Sequence, residues 1–267
     1  SATKEHPAVR SLRELIIGPP ISSKRMADER LSSFRALAAL SPDALSSIAY
    51  ANQEIFLGLV VAGAAGLGYS WHIALAIAVL LAVLALSYTQ TIQAYPTGGG
   101  SYTVARENLG VTVGLVAAAA LMTDYVLNVA VSVTAGVAAA ASAFPELWPY
   151  RILLSLILLA IVTLANLRGL QESGAIMTVP VYFFLATYLA LIAVGLVRTV
   201  VEGPGSFAAT APPPVGPVTL FLILHTFSAG CTALTGIESI SNGVPIFKSP
   251  ESKHANQTMV AMALLMA

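Results

Sequence analysis

Three carboxylates stand in stretches of this sequence that are otherwise apolar enough to lie in lipid: Asp43, Asp124 and Glu238. A charge at the centre of a bilayer helix costs about 2.5–3.5 kcal/mol on insertion scales, so such residues face protein or water and have a partner. Asp124 falls near the middle of its apolar run, too far from either end for helix capping. Asn128 and Ser132 follow it at steps of four, which puts all three on one helix face, and Tyr125 is its neighbour. Glu238 follows "TALTG" (232–236); its plainer reading is a residue near the cytoplasmic helix end that reaches the interface, because Gly243 and Pro245 come soon after. Asp43 has the plainest alternative of the three. Ser41 as N-cap, Pro42 at the first helical position and an acid in the first turn are what begins a helix. Acids on three different helices offer hard oxygens suited to alkali cations and protons. Soft ligands are missing: Cys231 is alone, which excludes an internal disulfide and a cysteine-based metal site.

The elements that must hold these acids are membrane helices. Of 267 residues, 57% are hydrophobic and only 10% charged, and the mean hydropathy is +0.80. A soluble domain carries about 25% charged residues, so this chain reads as an all-α, multi-span membrane protein. Apolar runs of about 20 residues predict spans near 41–66, 71–93, 112–142, 152–169, 177–199 and 217–243. A seventh begins near 257 and runs to 267, about half of a span, so the sequence reads as part of a longer transporter domain over 41–267 behind a tail at 1–40. With the N-terminus inside, the cytoplasmic face holds Lys4, Arg10, Arg13, Lys24, Arg25, Arg30, Arg35, Arg106, Arg168, Lys248 and Lys253, against Arg151 and Arg198 outside. That bias predicts a multi-pass protein of the cytoplasmic membrane with its N-terminus in the cytoplasm. Residues 22–35 fit either an amphipathic helix on the membrane surface or a solvated tail.

Two segments break the helical pattern. "AYPTGGGSYTVARENLG" (94–110) has Pro96 and then Gly98, Gly99 and Gly100 between spans two and three. Three glycines cannot hold a helix and let backbones approach; a flexible loop and a hinge or cytoplasmic gate both fit. Span six has Gly230 and Gly236 around a Ser/Thr-rich middle, where unwinding to expose carbonyls to an ion competes with close helix packing. "DALSSIAY" (43–50) can be laid over "TALTGIES" (232–239), as an inverted repeat pairing span one with span six would give.

The motifs "LSPDALSSIAYANQEI", "YPTGGGSYTVARENLG", "MTDYVLNVAVSVTAG", "NLRGLQESG" and "FSAGCTALTGIESISN", in this order from about residue 31 onward, resemble the amino acid–polyamine–organocation superfamily. More narrowly, they resemble its KimA-type members, related to the Kup potassium–proton symporters. The resemblance implies a LeuT-type inverted-repeat fold, here the first five-span repeat with span six and part of span seven. It also implies a homodimer for the full-length protein. Acids and hydroxyls of spans one, three and six would then form the ion site and proton path. Asp43 and Tyr50 match the first-span motif, Asp124, Tyr125 and Ser132 the third, and Thr235 and Glu238 the sixth. Asn128 stands where the resemblance leads to a hydroxyl residue.

These readings converge on a secondary transporter that moves potassium with protons by alternating access. Asp124, Thr235 and Ser132 would coordinate potassium with Tyr50, Tyr125 and Asn128 around them; Glu238 would carry the proton and Asp43 would tune or gate. Potassium and the proton are the transported species, and no cofactor is implied. The alternative on the same fold is an amino acid permease, whose interrupted helices offer backbone N–H groups to a substrate carboxylate; the side chains of "SSIAY" (46–50) and the three acids speak against it. A formal net charge of zero and the lack of a basic, aromatic-interleaved stripe argue against nucleic acid. The sequence has no nucleotide-binding loop, HExxH or GxSxG motif, so an ATPase, a hydrolase or another enzyme is not expected.

Overall fold

A computed structural model describes residues 30–167, 170–203 and 211–267. Its first helical stretch is organised by a proline. α1 (Ser33–Leu40) runs into α2 (Pro42–Val60) through Ser41, whose backbone is itself helical (φ −92°, ψ −13°). The Ser41 N–H donates to Leu37 O and the Leu45 N–H to Ser41 O, both at 2.9 Å, so hydrogen bonding crosses the junction. Pro42 has no N–H to add and divides the two helices there. The expected side-chain cap is not made: Ser41 Oγ is buried and has no hydrogen bond among the described residues. Asp43 therefore sits beside a proline junction inside the protein. The overlay of "DALSSIAY" on "TALTGIES" would place the break of span one within residues 43–50, but α2 is continuous there and the discontinuity lies just before Asp43.

The remaining helices are α3 (Gly63–Leu67), α4 (Ser70–Ala94), α5 (Gly100–Leu109), α6 (Val111–Ala143), α7 (Arg151–Leu167), α8 (Leu170–Glu202), α9 (Leu220–Gly230), α10 (Glu238–Asn242) and α11 (Glu251–Met266). Among the described residues, five stretches are long and apolar enough to cross a membrane: Gly63–Ala94, Val111–Ala143, Pro145–Leu167, Glu172–Glu202 and Leu220–Asn242. The predicted first span is not one of them. α2 carries Asp43, Ser46, Ser47 and Tyr50, buried or half-buried where α4, α6 and α9 pack around it in place of lipid, followed by the exposed Asn52, Gln53 and Glu54. By contrast α7 buries no residue and turns Ile152 and Leu156 outward. Span five starts earlier than predicted, with α8 running from Leu170, and span seven starts at Glu251 rather than 257. The expected helix end at Arg168 and Gly169 lies outside the described residues.

Span six is interrupted. α9 passes through a tight turn at Cys231–Leu234 into an extended Thr235 (φ −72°, ψ 151°) and a left-handed Gly236 (φ +84°), before α10 begins. A Cβ on Gly236 would lie 2.5 Å from Ala44 N and 2.9 Å from Asp43 Cγ. The break of span six is thus pressed against the first turn of α2. Gly230 differs: its backbone is helical, and a Cβ there would lie 2.7 Å from both Ile55 Cγ1 and Ile77 Cδ1, so it makes room for side chains of α2 and α4. The unwinding and close-packing readings divide between these two glycines. Gly98, Gly99 and Gly100 all have positive φ and pack on the C-terminal end of α10 and on Pro245. Substituent atoms at Gly98 and Gly100 would collide with Asn242 O at 2.7 Å and Asn242 Oδ1 at 2.0 Å.

The predicted tail contributes to the packing. Residues 1–29 lie outside the description, and with them most of the expected amphipathic segment 22–35. Leu31, 2% exposed, forms a short backbone bridge: its N–H donates to Ile246 O at 2.8 Å and its carbonyl accepts from Lys248 N at 3.0 Å. With fully buried Phe247 it joins a core shared by α2, α4, α10 and α11 through Ile48, Leu81, Ile240 and Met259. Residues 31–40 therefore belong physically with the helical body.

Gly236→Ala forces an L-residue into left-handed backbone, about 1–2 kcal/mol by itself, and adds the collision with Ala44. A clear fall in the melting temperature of the purified protein in detergent is expected, whereas Gly195→Ala, whose Cβ meets nothing within 4 Å, leaves it unchanged. Phe247→Ala removes a fully buried ring and should cost about 3–5 kcal/mol, read as the loss of the monodisperse gel-filtration peak or a large drop in the same melting temperature.

Candidate functional site

The polar residues of α2 recur at 43, 47, 50 and 54, one helical face, and that face meets α6 and the break of span six. Asn128, on α6 and 7% exposed, is the point where they join. Its amide nitrogen donates to Asp43 Oδ1 and to Thr235 Oγ1, the latter at 3.2 Å. Its amide oxygen accepts from Tyr50 Oη at 2.8 Å, Ser47 Oγ at 3.3 Å and Ser132 Oγ at 3.4 Å. Thr235 Oγ1 lies 2.8 Å from Ser47 Oγ and 2.9 Å from Thr232 O, so the unwound segment is tied to α2 directly as well. Ser46 Oγ lies 3.0 Å from Ser132 Oγ and donates to Asp43 O at 2.9 Å.

Of the expected site residues, the structure thus brings Asp43, Tyr50, Asn128, Ser132 and Thr235 into one hydrogen-bonded cluster. Asp124 stands one turn from Asn128 on α6, half-buried, and makes no hydrogen bond among the described residues. It is linked to the cluster by charge, since Asp43, Asp124 and Glu238 lie close enough to act on one another electrostatically. Glu238 is 6% exposed, and its Oε1 is buried without a hydrogen-bond partner among the described residues. Tyr125 turns to the other side of the break, where its hydroxyl accepts from Asn242 Nδ2 at 2.8 Å. Gly98 and Gly100 pack on that same Asn242, while Gly230 and Gly236 shape span six as described above.

Ser47, Ser46 and Asn242 were missed as participants. Ser47 could have been found from its four-residue and three-residue spacing to Asp43 and Tyr50; Asn242 gave no signal, because its partner Tyr125 is distant in sequence. The described ion pairs, Arg30–Glu251 and Arg198–Glu202, do not involve the three acids. No group of three or more His, Cys, Asp or Glu side chains converges as a metal cluster among the described residues. What converges is a single carboxylate with neutral oxygens, a donor set that suits a weakly held monovalent cation better than a divalent one. Tyr50 separates this cluster from a cavity of about 520 Å³ lined by Gln53, Glu54, Thr134, Trp148 and Arg151.

Comparison with known proteins accords with these features. The amino acid permease family model matches residues 31–267. The potassium transporter KimA of Bacillus subtilis (strain 168) is 44% identical over 260 residues, which cover 96% of this chain and 43% of that protein. The low-affinity putrescine importer PlaP of Escherichia coli (strain K12) is 27% identical over 193 residues, 70% of this chain and 41% of that protein. The chain spans less than half the length of these relatives. Its all-helical, multi-span architecture, with a broken span six against span one, accords with part of a LeuT-type repeat. By sequence match, the chain belongs to the amino acid permease family of the amino acid–polyamine–organocation superfamily.

Proposed function

We propose that this chain forms part of the transport core of a secondary transporter that takes up potassium with protons by alternating access. The observation that carries the reading is the meeting of the Asp43 carboxylate with a set of neutral oxygens at the break of span six, with Asp124 and Glu238 nearby and no basic side chain paired to these acids among the described residues. Negative charge in a low-dielectric interior needs a counter-charge, and a transported cation supplies one. The similarity to a protein named as a potassium transporter supports the same reading.

Within it, Asp43 and Thr235 are the best-placed direct ligands, since both belong to the hydrogen-bonded cluster. Ser132 lies within reach on α6, and Asp124 on the same helix adds negative field. Asp43 is thereby given a closer role than the tuning or gating expected for it. Glu238, buried and with one oxygen unpartnered, is suited to take and release the proton. Gly236 provides the hinge, and Gly98, Gly99 and Gly100 a closing seam against Asn242. The Lys and Arg distribution supports an N-terminus in the cytoplasm and a location in the cytoplasmic membrane, and homodimeric assembly belongs to the same reading.

A second reading, import of an amino acid or a diamine, is favoured by the family description and by the similarity to a putrescine importer. For an amino acid, the backbone N–H groups freed by the break would have to bind its carboxylate beside the buried Glu238 and the Asp43 carboxyl, whose negative charge opposes it.

The full-length protein in cells stripped of their own potassium uptake is expected to restore growth at limiting potassium. Asp43→Asn should then lower uptake about tenfold or more, the ratio that about 1.4 kcal/mol of lost ion binding produces. Uptake of labelled amino acid or putrescine without potassium transport would reject the cation reading. In proteoliposomes, Glu238→Gln should keep potassium exchange while losing accumulation driven by a proton gradient; accumulation at the unaltered rate would remove Glu238 from the proton path.

A further inference from the structure

The orientation of the Asn128 amide bears on how tightly a cation is held. Both hydrogens of its NH2 group are committed, one to Asp43 Oδ1 and one to Thr235 Oγ1. An ionised carboxylate only accepts, so the nitrogen and not the oxygen must face Asp43. The amide oxygen points the other way. It is already approached by the hydroxyls of Tyr50, Ser47 and Ser132, and a carbonyl has two lone pairs to share among them. Asn128 therefore offers no acceptor to the space between Asp43 and Thr235; it fills that space with donors. Those donors satisfy the two oxygens that a cation bridging α2 and the span-six break would need.

We propose that Asn128 is an affinity-determining residue that works as an internal competitor: its NH2 group holds Asp43 and Thr235 together as a cation would, and a cation gains both oxygens only by displacing it. This rests on the cation reading given above. The device has two consequences for transport. Displacement of two hydrogen bonds weakens cation binding, and their return on the way out speeds release. It also prevents the carboxylate from standing unpaired beside the broken helix, where desolvation is costly. Asn128 is thus a positioning group for Asp43 and Thr235, and its amide oxygen is not a cation ligand.

The test measures potassium transport by the full-length protein in proteoliposomes, for the unaltered sequence and for Asn128→Ser and Asn128→Thr. Each variant removes the paired donors and keeps a small polar group. The apparent KM for potassium is expected to fall about tenfold, the effect of about one displaced charge-assisted hydrogen bond, while the maximal rate stays level or falls as release slows. A KM that is unchanged or raised, with the unaltered protein transporting potassium, overturns the competitor role and leaves the cation reading standing. If neither variant elutes as a folded, monodisperse species, Asn128 is a structural cross-link and the inference also fails. Absence of potassium transport by the unaltered protein removes the cation reading, and this inference with it.

Discussion

The structure of this chain depends on one contact: the unwound segment of span six against the proline junction at the start of α2. Gly236 allows it, because only a residue without Cβ can bring its backbone so close to Ala44 and Asp43 while in left-handed conformation. Asn128 then spans the same junction from α6, bonding Asp43 on one helix and Thr235 on the break. Polar groups freed by unwinding would be costly in lipid. Here the break is half-buried against α2 and α4, and Thr235 is bonded to Asn128 of α6, so the interruption is supported by this tertiary arrangement.

Around that contact the chain divides its labour by solvent. The polar first half of α2 is sheltered by protein, whereas α7 and much of α6 expose Leu, Ile and Val along their length. Buried polar groups accordingly collect on the α2 side. The glycine seam at 98–100 repeats the same principle at a second place, where the absence of side chains lets Asn242 and Pro245 pack directly on backbone. Both close approaches involve the segment after α9.

Much of this was legible in the residues. Helix content and the approximate spans follow from apolar periodicity, and Gly236 in a Ser/Thr-rich run marks span six as either unwound or closely packed. Asp43, Tyr50, Ser132 and Thr235 were recognisable as site candidates. Less legible was the junction of span one: Ser41-Pro42-Asp43 reads as a helix start, yet α1 precedes it and Ser41 caps nothing. Local signals describe a helix terminus equally well whether or not another helix runs into it. The packing of the tail's end is likewise not a local matter, since the burial of Leu31 depends on Phe247, more than two hundred residues away.

By itself the sequence determined that this is a multi-span helical membrane chain, because its charged fraction is too low to coat a water-facing surface, and that carboxylates and hydroxyls would be its chemistry. Its family membership is carried by the same residues. Only the tertiary structure decided which of the acids joins the cluster. Asp124 has the strongest polar stripe, but Asp43 is the one bonded to Asn128, because helix-face periodicity reports what shares a face and not what faces it across a contact. It also decided that Asn128 presents nitrogen to Asp43 and oxygen to the hydroxyls, since an amide turns according to the partners that surround it.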